Sequence, residues 1–132
     1  MITLDTSGVL ALFVRDDLHH ADAVRCLEEG RQPMVVPVGI LAVLDSVLSG
    51  LLAPRASVAF LAGIERGDTL LDCGDVDLPR IRELMVRFAD VGLGFSAAAV
   101  VACAERNGGR ILTFERRVLD VVAGDAPITL LP

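Results

Sequence analysis

The sequence contains no lysine, and all 12 of its basic residues are arginines. With 18 acidic residues, its formal net charge at pH 7 is −6 and its isoelectric point is about 4.7. Proteins that bind nucleic acid by general electrostatics are usually basic, because phosphate neutralisation supplies most of their affinity. The charge therefore excludes a histone-like coat protein. Individual phosphate contacts remain open, since the planar fork of arginine suits them, although a GC-rich genome explains the lysine-free composition more simply.

Long apolar runs are absent, although 53% of the residues are hydrophobic. A membrane-spanning helix needs ~20 consecutive apolar residues. Residues 1–5 also lack a basic region followed by an apolar run and a cleavage site, as a secretion signal would have. We therefore expect a soluble, cytoplasmic protein with no membrane partner.

Cysteine is scarce, and its three positions are widely separated: Cys26, Cys73 and Cys103. They form no Cys-x-x-Cys pair, so neither a disulfide framework nor a zinc site is indicated. We expect all three to be buried as small apolar residues.

Several catalytic signatures are missing as well. There is no P-loop and no Gly-x-Gly-x-x-Gly, a receiver domain would need a lysine, and a haloacid-dehalogenase-type phosphatase would need a second acid at Ser7. The pair His19 and His20 has no third ligand at a metal-binding spacing, so we expect two exposed residues at a helix start. Asp75 and Asp77 are expected to stabilise a helix N-terminus.

The chain consists of short apolar strands that alternate with helical patterns. Its length fits a single domain, residues 1–132, since domains commonly run to roughly 100–200 residues. Strands are predicted at 1–4, 34–36, 69–71, 110–113 and 128–131, and helical spacing occurs at 7–13, 21–27, 38–49, 60–64, 81–88, 97–106 and 115–121. Ser96 is expected to cap the helix at 97–106. The alternation predicts a three-layer α/β/α fold with a central parallel sheet of about five short strands.

Ligands of such sheets bind beyond the carboxyl ends of the strands, which draws attention to two acids. Asp5 follows the first predicted strand, and Glu115 follows a later one. Two carboxylates at adjacent strand ends could share a hard cation such as Mg²⁺. The alternative is that each acid simply caps the helix that follows it.

Three segments resemble the PIN-domain family, in particular its VapC-type ribonuclease toxins. Residues 2–7 (ITLDTS) are similar to the family's opening strand, which ends in Asp-Thr-Ser. Residues 89–106 (ADVGLGFSAAAVVACAER) are similar to its third motif region, and residues 110–117 (RILTFERR) match its fourth. The segments occur in the family's order and span essentially the whole chain.

The resemblance implies a particular chemistry. In that family four acids hold one or two Mg²⁺ or Mn²⁺ ions, which activate water to cleave an RNA phosphodiester. Carried over to this chain, the first acid is Asp5, supported by Thr6 or Ser7 through hydrogen bonds. The fourth is Glu115, which replaces the usual aspartate, with Thr113 as a supporting neighbour. Asp5 and Glu115 are therefore the expected catalytic and metal-binding residues.

The other two acid positions are lost. The second falls on Val43 and the third on Ala97, so we expect at most one weakly bound ion. Asp45 could replace the second acid only through a register slip, because it lies two residues past Val43, about 200° around a helix. Asp90 belongs to the loop before the third motif, and Ser96 offers only a hydroxyl.

Two functions follow from this pattern. The first is a toxin of a toxin–antitoxin pair, a metal-dependent endoribonuclease whose catalysis is weakened or lost. The alternative is a non-catalytic PIN domain that binds RNA or an antitoxin as a decoy. The resemblance also implies a cognate antitoxin as partner, and a homodimer.

Overall fold

The structure, a computed structural model, describes residues 1–72 and 74–132 and contains one parallel β-sheet. Its strands are β1 (Ile2–Leu4), β2 (Met34–Pro37), β3 (Leu70–Asp72), β4 (Arg110–Leu112) and β5 (Thr129–Leu131). Their order across the sheet is β3-β2-β1-β4-β5, and every neighbouring pair is parallel. The predicted five-stranded α/β fold is confirmed.

Helices connect the strands and cover the sheet. They are α1 (Thr6–Phe13), α2 (His20–Gly30), α3 (Leu41–Leu51), α4 (Pro54–Arg66), α5 (Leu78–Arg87), α6 (Phe95–Arg106) and α7 (Arg116–Ala123), with short 3-10 turns at Val38–Ile40, Asp75–Asp77 and Ala89–Val91. Pro54 occupies the first turn of α4, where its missing N–H has no cost. Gly67 ends that helix in the left-handed conformation. No helix in these two described ranges is long and apolar enough to cross a membrane.

Helix α6 is the central helix of the core. Residues 98–104 are all buried, and most of them are alanine or valine. Small side chains let α6 approach β1, β2 and β4 closely, and it contacts all three. Ile2 and Leu4 of β1 and Ile111 of β4 complete this core. The packing fixes the N-terminal turn of α6 near the carboxyl ends of the central strands.

Several predicted boundaries were wrong by one or two residues. Helix α6 begins at Phe95 with Gly94 as its N-cap, so Ser96 lies inside the helix and makes no capping bond. The extended backbone of Gly94 already supplies the carbonyl that accepts from the Ala98 N–H, at 3.0 Å. Strand β3 covers 70–72 instead of 69–71. Cys103 is buried as expected and Cys26 is only half-buried, while Cys73 lies outside the described residues.

Arg106, at the end of α6, bonds two acids that lie 34 and 29 positions earlier in the sequence. Its guanidinium contacts Asp72 at 2.7 Å and Asp77 at 2.6 Å. Asp77 is the N-cap residue of α5, at a helix start where an acid was expected, although its side chain makes no capping bond there. Because Asp77 is buried, it needs a partner, and Arg106 fills that need.

Candidate active site

The site lies where β1 and β4 end. The two strands pair in parallel, with Thr3 opposite Ile111 and Leu4 opposite Leu112. Asp5 and Thr113 each follow these strands directly. The fold therefore brings Asp5 next to Thr113, as expected for residues at the carboxyl edge of one sheet.

Asp5 is buried and its carboxylate is bonded by the chain itself. Oδ1 accepts from the Ser7 hydroxyl at 2.7 Å and from the Gly8 N–H at 2.7 Å. Oδ2 accepts from the Thr113 hydroxyl at 2.5 Å. These bonds connect β1, the first turn of α1 and the end of β4. Of the two residues expected to support Asp5, Ser7 donates to it, and no such bond involves Thr6 in the described chain.

Asp5 is also the N-cap of α1, because its side chain accepts from Gly8 in the first turn. Asp5 therefore both caps α1 and belongs to the acid site, the name used here for Asp5 and Glu115 at the carboxyl ends of β1 and β4. Glu115 occupies the corresponding N-cap position of α7, yet its side chain makes no capping bond. Helix capping explains the presence of Asp5 and does not explain that of Glu115.

Gly8 permits the close contact between α1 and β4. A Cβ at this position would collide with the Leu112 carbonyl oxygen and lie 3.4 Å from Asp5 Oδ1. The collision is with backbone, which cannot rotate away. Only glycine therefore lets the first turn of α1 pack against β4 with Asp5 between them.

The segment after β4 is fixed by a second set of bonds. The Phe114 N–H donates to Ser7 Oγ at 2.8 Å, and the Glu115 N–H donates to Thr113 Oγ1 at 3.1 Å. Each hydroxyl thus accepts from this segment while donating to Asp5. The Glu115 side chain itself is exposed to solvent.

Burial raises the pKa of Asp5 above its ordinary value of 3.8. Hydrogen bonds from Thr113, Gly8 and Ser7 act in the opposite direction and only partly offset the burial. The charge of Glu115 raises the pKa further, which shows that the two carboxylates interact electrostatically. A cation at this edge would interact favourably with both.

The two positions expected to have lost an acid lie on neighbouring helix starts. Val43 is the third residue of α3, and Ala97 is the third residue of α6. A Cβ built on Gly39, just before α3, would lie 3.0 Å from Ala99 Cβ and 3.2 Å from the Phe95 ring. The start of α6 therefore packs on the turn that leads into α3. Val43 is 40% exposed, whereas Ala97 packs partly against the core.

The residues considered as alternatives have different surroundings. Asp45 lines the cleft between α3 and α4 and accepts from Ser49 at 3.4 Å. Asp90 is exposed on the 3-10 turn that follows α5. Ser96 is half-buried in the first turn of α6. Only Ser96 belongs to a helix start beside the sheet edge, and it carries no charge.

The side chains present do not fit a tightly held metal ion. Within residues 1–72 and 74–132, no group of three or more His, Cys, Asp or Glu side chains lies close enough to hold one. Mg²⁺ demands near-octahedral oxygen geometry, and both oxygens of Asp5 already accept hydrogen bonds from the chain. Two carboxylates and a few hydroxyls leave most of a coordination shell to water.

Sequence reasoning missed an aromatic pair beside the acids. The rings of His19 and Phe114 stack with centroids 4.4 Å apart and planes inclined by 10°. Both histidines are half-buried instead of exposed, and His20 Nδ1 donates to the Ala11 carbonyl oxygen at 2.7 Å. No spacing in the sequence indicates this contact, because His19 and Phe114 are far apart in the sequence.

Comparison with known proteins agrees with the geometry. The sequence pattern of the PIN domain family matches residues 2–124. The chain is 28% identical over 133 aligned residues to ribonuclease VapC26 of Mycobacterium tuberculosis, covering 98% of each protein. The resemblance inferred from the three motifs is therefore confirmed.

Two solved structures share the fold. The crystal structure of Mycobacterium tuberculosis VapC20, described as a toxin that cleaves the sarcin-ricin loop, matches with a TM-score of 0.80 at 24% identity over 100% of both chains. The structure of FitAcB from Neisseria gonorrhoeae matches with a TM-score of 0.64 at 13% identity, covering 100% of this chain and 97% of that one. By its sequence pattern and its fold, the chain belongs to the PIN domain family and is homologous to VapC ribonucleases.

Proposed function

We propose that this protein is the toxin component of a toxin–antitoxin pair and retains a ribonuclease scaffold whose metal-dependent cleavage of RNA is weakened or lost. Asp5 and Glu115 are the remaining acids, and Ser7, Thr113 and the half-buried Ser96 are the neighbouring hydroxyls. Val43 and Ala97 occupy the two acid positions that the family pattern would fill.

The observation that carries the proposal is the uneven state of the site. The side of the site formed by β1 and β4 is fully bonded, with three hydrogen bonds to Asp5 and the charge of Glu115 close by. The starts of α3 and α6, where the family resemblance implies two further acids, carry apolar side chains at Val43 and Ala97. Metal sites that cleave phosphodiesters act by orienting water and stabilising charge. Without two of the carboxylates, the site has less negative charge to bind the ion and fewer ligands to fix its position.

The proposed ion is Mg²⁺ or Mn²⁺, with at most one bound and with an affinity no tighter than millimolar. Asp5 and Glu115 would share it and water would complete its shell. RNA is the proposed substrate class. Arg117, exposed two residues after Glu115, suits a contact with an RNA phosphate.

The proposed partners are a cognate antitoxin and a second copy of this chain. VapC-type toxins pair with antitoxins, and the homology to VapC26 supports the same pairing here. An apolar cleft of about 170 Å³ between α1 and α4, lined by Leu12, Phe13 and Phe60, offers a surface for an antitoxin segment. Leu51 at the end of α3, Leu52 just after it and Leu61 of α4 are further exposed apolar side chains.

Calorimetric titration with Mn²⁺, run beside an RNA cleavage assay, tests the proposal. The expected result is weak binding to at most one site, with slow cleavage or none. Asp5→Asn should abolish any binding and any cleavage that the parent shows, and Asp90→Asn is the matched control that should leave both unchanged. Two fully occupied Mn²⁺ sites, or rapid cleavage by the parent, would contradict the proposal.

A second candidate is a non-catalytic decoy that binds RNA or the antitoxin. The observation that favours it is the engagement of both Asp5 oxygens in bonds within the chain, which makes Asp5 a structural cap. A parent protein that binds RNA or antitoxin while binding no Mn²⁺ and cleaving nothing would select the decoy over the weakened nuclease.

A further inference from the structure

The His19–Phe114 pair, called here the aromatic platform, stands at the edge of the acid site. Its rings are nearly parallel, at 10°, with centroids 4.4 Å apart. Both residues are half-buried, so the pair lies at the surface of the protein. A flat aromatic surface of this kind is what a nucleic-acid base stacks on.

The backbone of Phe114 is hydrogen-bonded to Ser7, which in turn bonds Asp5. The Phe114 N–H donates to Ser7 Oγ at 2.8 Å, and that hydroxyl donates to Asp5 Oδ1 at 2.7 Å. Glu115 is the next residue along the chain. The backbone of Phe114 therefore lies one residue from Glu115 and is joined to Asp5 through a single bridging hydroxyl.

The other ring is held in place by its own loop. The His19 N–H donates to Asp17 Oδ1 at 2.8 Å, and the His20 N–H donates to the Asp17 carbonyl oxygen at 3.1 Å. The His20 ring is anchored on Ala11 at 2.7 Å. Because these bonds already fix the loop between α1 and α2, a ligand that stacks on the platform would have little left to order.

The other four phenylalanine rings make different contacts, although Phe95 remains 47% exposed. Phe13 and Phe60 form an edge-to-face pair with centroids 5.8 Å apart, and Phe88 is buried beneath Arg87. Phe95 packs on the turn at Gly39. Within the described residues 1–72 and 74–132, His19 and Phe114 are thus the stacked aromatic pair, and Phe114 is next to Glu115 in the sequence.

The net negative charge of the protein makes base stacking a useful source of affinity for RNA. With a net charge of −6, the chain gains little affinity for RNA from general electrostatics. Stacking on an aromatic ring does not depend on charge, because every base has a π-face. An acidic protein that binds RNA would have to obtain its affinity largely from such contacts.

We propose that the aromatic platform stacks a base of single-stranded RNA and thereby positions the adjoining phosphodiester beside Asp5 and Glu115. This assignment rests on the proposed RNA-binding function. His19 and Phe114 act here as positioning residues, because they would touch a base instead of the reacting phosphate.

The chain contains neither tryptophan nor tyrosine, so Phe114→Trp introduces a single fluorescent reporter at the platform. A hexamer of adenylate should quench its emission in a saturable way, whereas a ribose-phosphate hexamer without bases should not. Phe13→Trp, on the separate Phe13–Phe60 pair, is the matched control and should remain unquenched by both.

Affinity provides the second readout, measured by the anisotropy of a labelled adenylate hexamer bound to the otherwise unmodified chain. His19→Ala should weaken binding roughly fivefold to a hundredfold, the range expected for loss of one base–aromatic contact. His19→Phe keeps a ring and should retain most of the affinity. Melting temperatures close to that of the parent would show that both variants are folded.

The outcomes separate this inference from the proposed function. If the parent does not bind the hexamer at all, the RNA-binding function itself is wrong and the platform assignment falls with it. If the parent binds the hexamer, yet the Phe114→Trp emission is unchanged and His19→Ala binds as tightly as the parent, the function stands and the platform assignment is overturned. Loss of thermal stability in His19→Ala with unchanged affinity would likewise identify the pair as simple packing.

Discussion

At the level of single residues, Asp5 has two structural roles. It caps α1, and it also joins α1 to the end of β4 through Ser7 and Thr113. Its burial would favour the neutral acid, while its three hydrogen bonds favour the carboxylate. The balance leaves the pKa above 3.8, which makes this carboxyl a measurable source of pH-dependent stability.

The pKa shift predicts how stability changes with pH. Because the folded protein binds the Asp5 proton more tightly than the unfolded chain, this contribution is fully present below pH 3.8 and is lost as pH rises through the folded pKa. Asp5→Asn removes the titration. The free energy of unfolding of the parent minus that of Asp5→Asn should therefore fall as pH rises through this window, as measured by urea denaturation at a series of pH values. A difference that stays flat or rises would contradict the prediction.

Asp72 serves as a control, because its pKa is shifted in the opposite direction to that of Asp5. Burial alone would raise its pKa, but bonds from Arg106, Asn107 and the Gly74 N–H hold it below 3.8. Its contribution is therefore present above pH 3.8 and is lost as pH falls through the folded pKa. The parent minus Asp72→Asn difference should rise with pH in the same experiments.

At the level of secondary-structure elements, the site depends on how closely α1 approaches β4. The contact requires a residue without a side chain at Gly8, because the Leu112 carbonyl oxygen fills the space where a Cβ would be. The hydrogen bonds from Ser7 and Gly8 to Asp5 depend on this approach. Arg106 likewise connects separate elements: from the end of α6 it bonds Asp72 of β3 and Asp77, just before α5.

Gly8→Ala should lower the free energy of unfolding by about 1–3 kcal/mol, since overpacking against backbone forces a shift of α1. Gly50→Ala is the matched control. It lies in α3 with nothing within 4 Å of its Cβ position, so it should raise stability by up to about 1 kcal/mol through helix propensity. Chemical denaturation of both variants measures the contrast, and equal effects of the two changes would show that α1 does not press on β4.

The sequence was most informative for these elements and least informative for contacts between them. Apolar periodicity located the strands and helices, and the rule for parallel sheets drew attention to Asp5 and Glu115. The bond from the Thr113 hydroxyl to Asp5 was found only in the structure. The register that makes Gly8 indispensable depends on the distance between α1 and β4, which periodicity does not encode. The His19–Phe114 stack likewise depends on tertiary packing, and the start of α6 at Phe95 was missed because Gly94 has no side chain to signal a cap.

For the whole molecule, the proposal is that the PIN fold is maintained with only part of the acid cluster that the family resemblance implies. Clustered carboxylates repel one another unless a cation neutralises them. With Val43 and Ala97 in place of two acids, that repulsion is reduced, and apolar surface can pack instead. The fold of this chain should therefore be stable without a metal ion.

Added Mg²⁺ should accordingly change the melting temperature very little. Binding stabilises the folded state by RT ln(1 + [L]/Kd), which is only about 0.4 kcal/mol when the Mg²⁺ concentration equals Kd. This corresponds to a shift of about 2 °C for a domain of this size. Differential scanning calorimetry at low millimolar Mg²⁺, with Asp5→Asn as control, measures it. An increase of several degrees in the parent alone would show that the site holds an ion tightly.

Restoration of the missing acids tests the interpretation of the site most fully. Val43→Glu combined with Ala97→Asp should rebuild a Mg²⁺ site, and each change alone should do less, because groups that act together around one ion are strongly non-additive. Apo stability should decrease, since a carboxylate at the partly buried Ala97 position must be desolvated. The combination of Val43→Glu with Ser96→Asp, one residue earlier on α6, is the matched comparison that locates the third position.

The most direct measurement is the rate of RNA cleavage in Mn²⁺ by the parent and by the folded Val43→Glu/Ala97→Asp variant. The restored variant should cleave RNA while the parent cleaves it slowly or not at all, and a further Asp5→Ala change should abolish the gain. If the folded variant cleaves no better than the parent and the Ser96→Asp combination also fails, the scaffold does not place these positions around Asp5 and Glu115. A parent that already cleaves as fast as the restored variant would contradict the view that this site is incomplete.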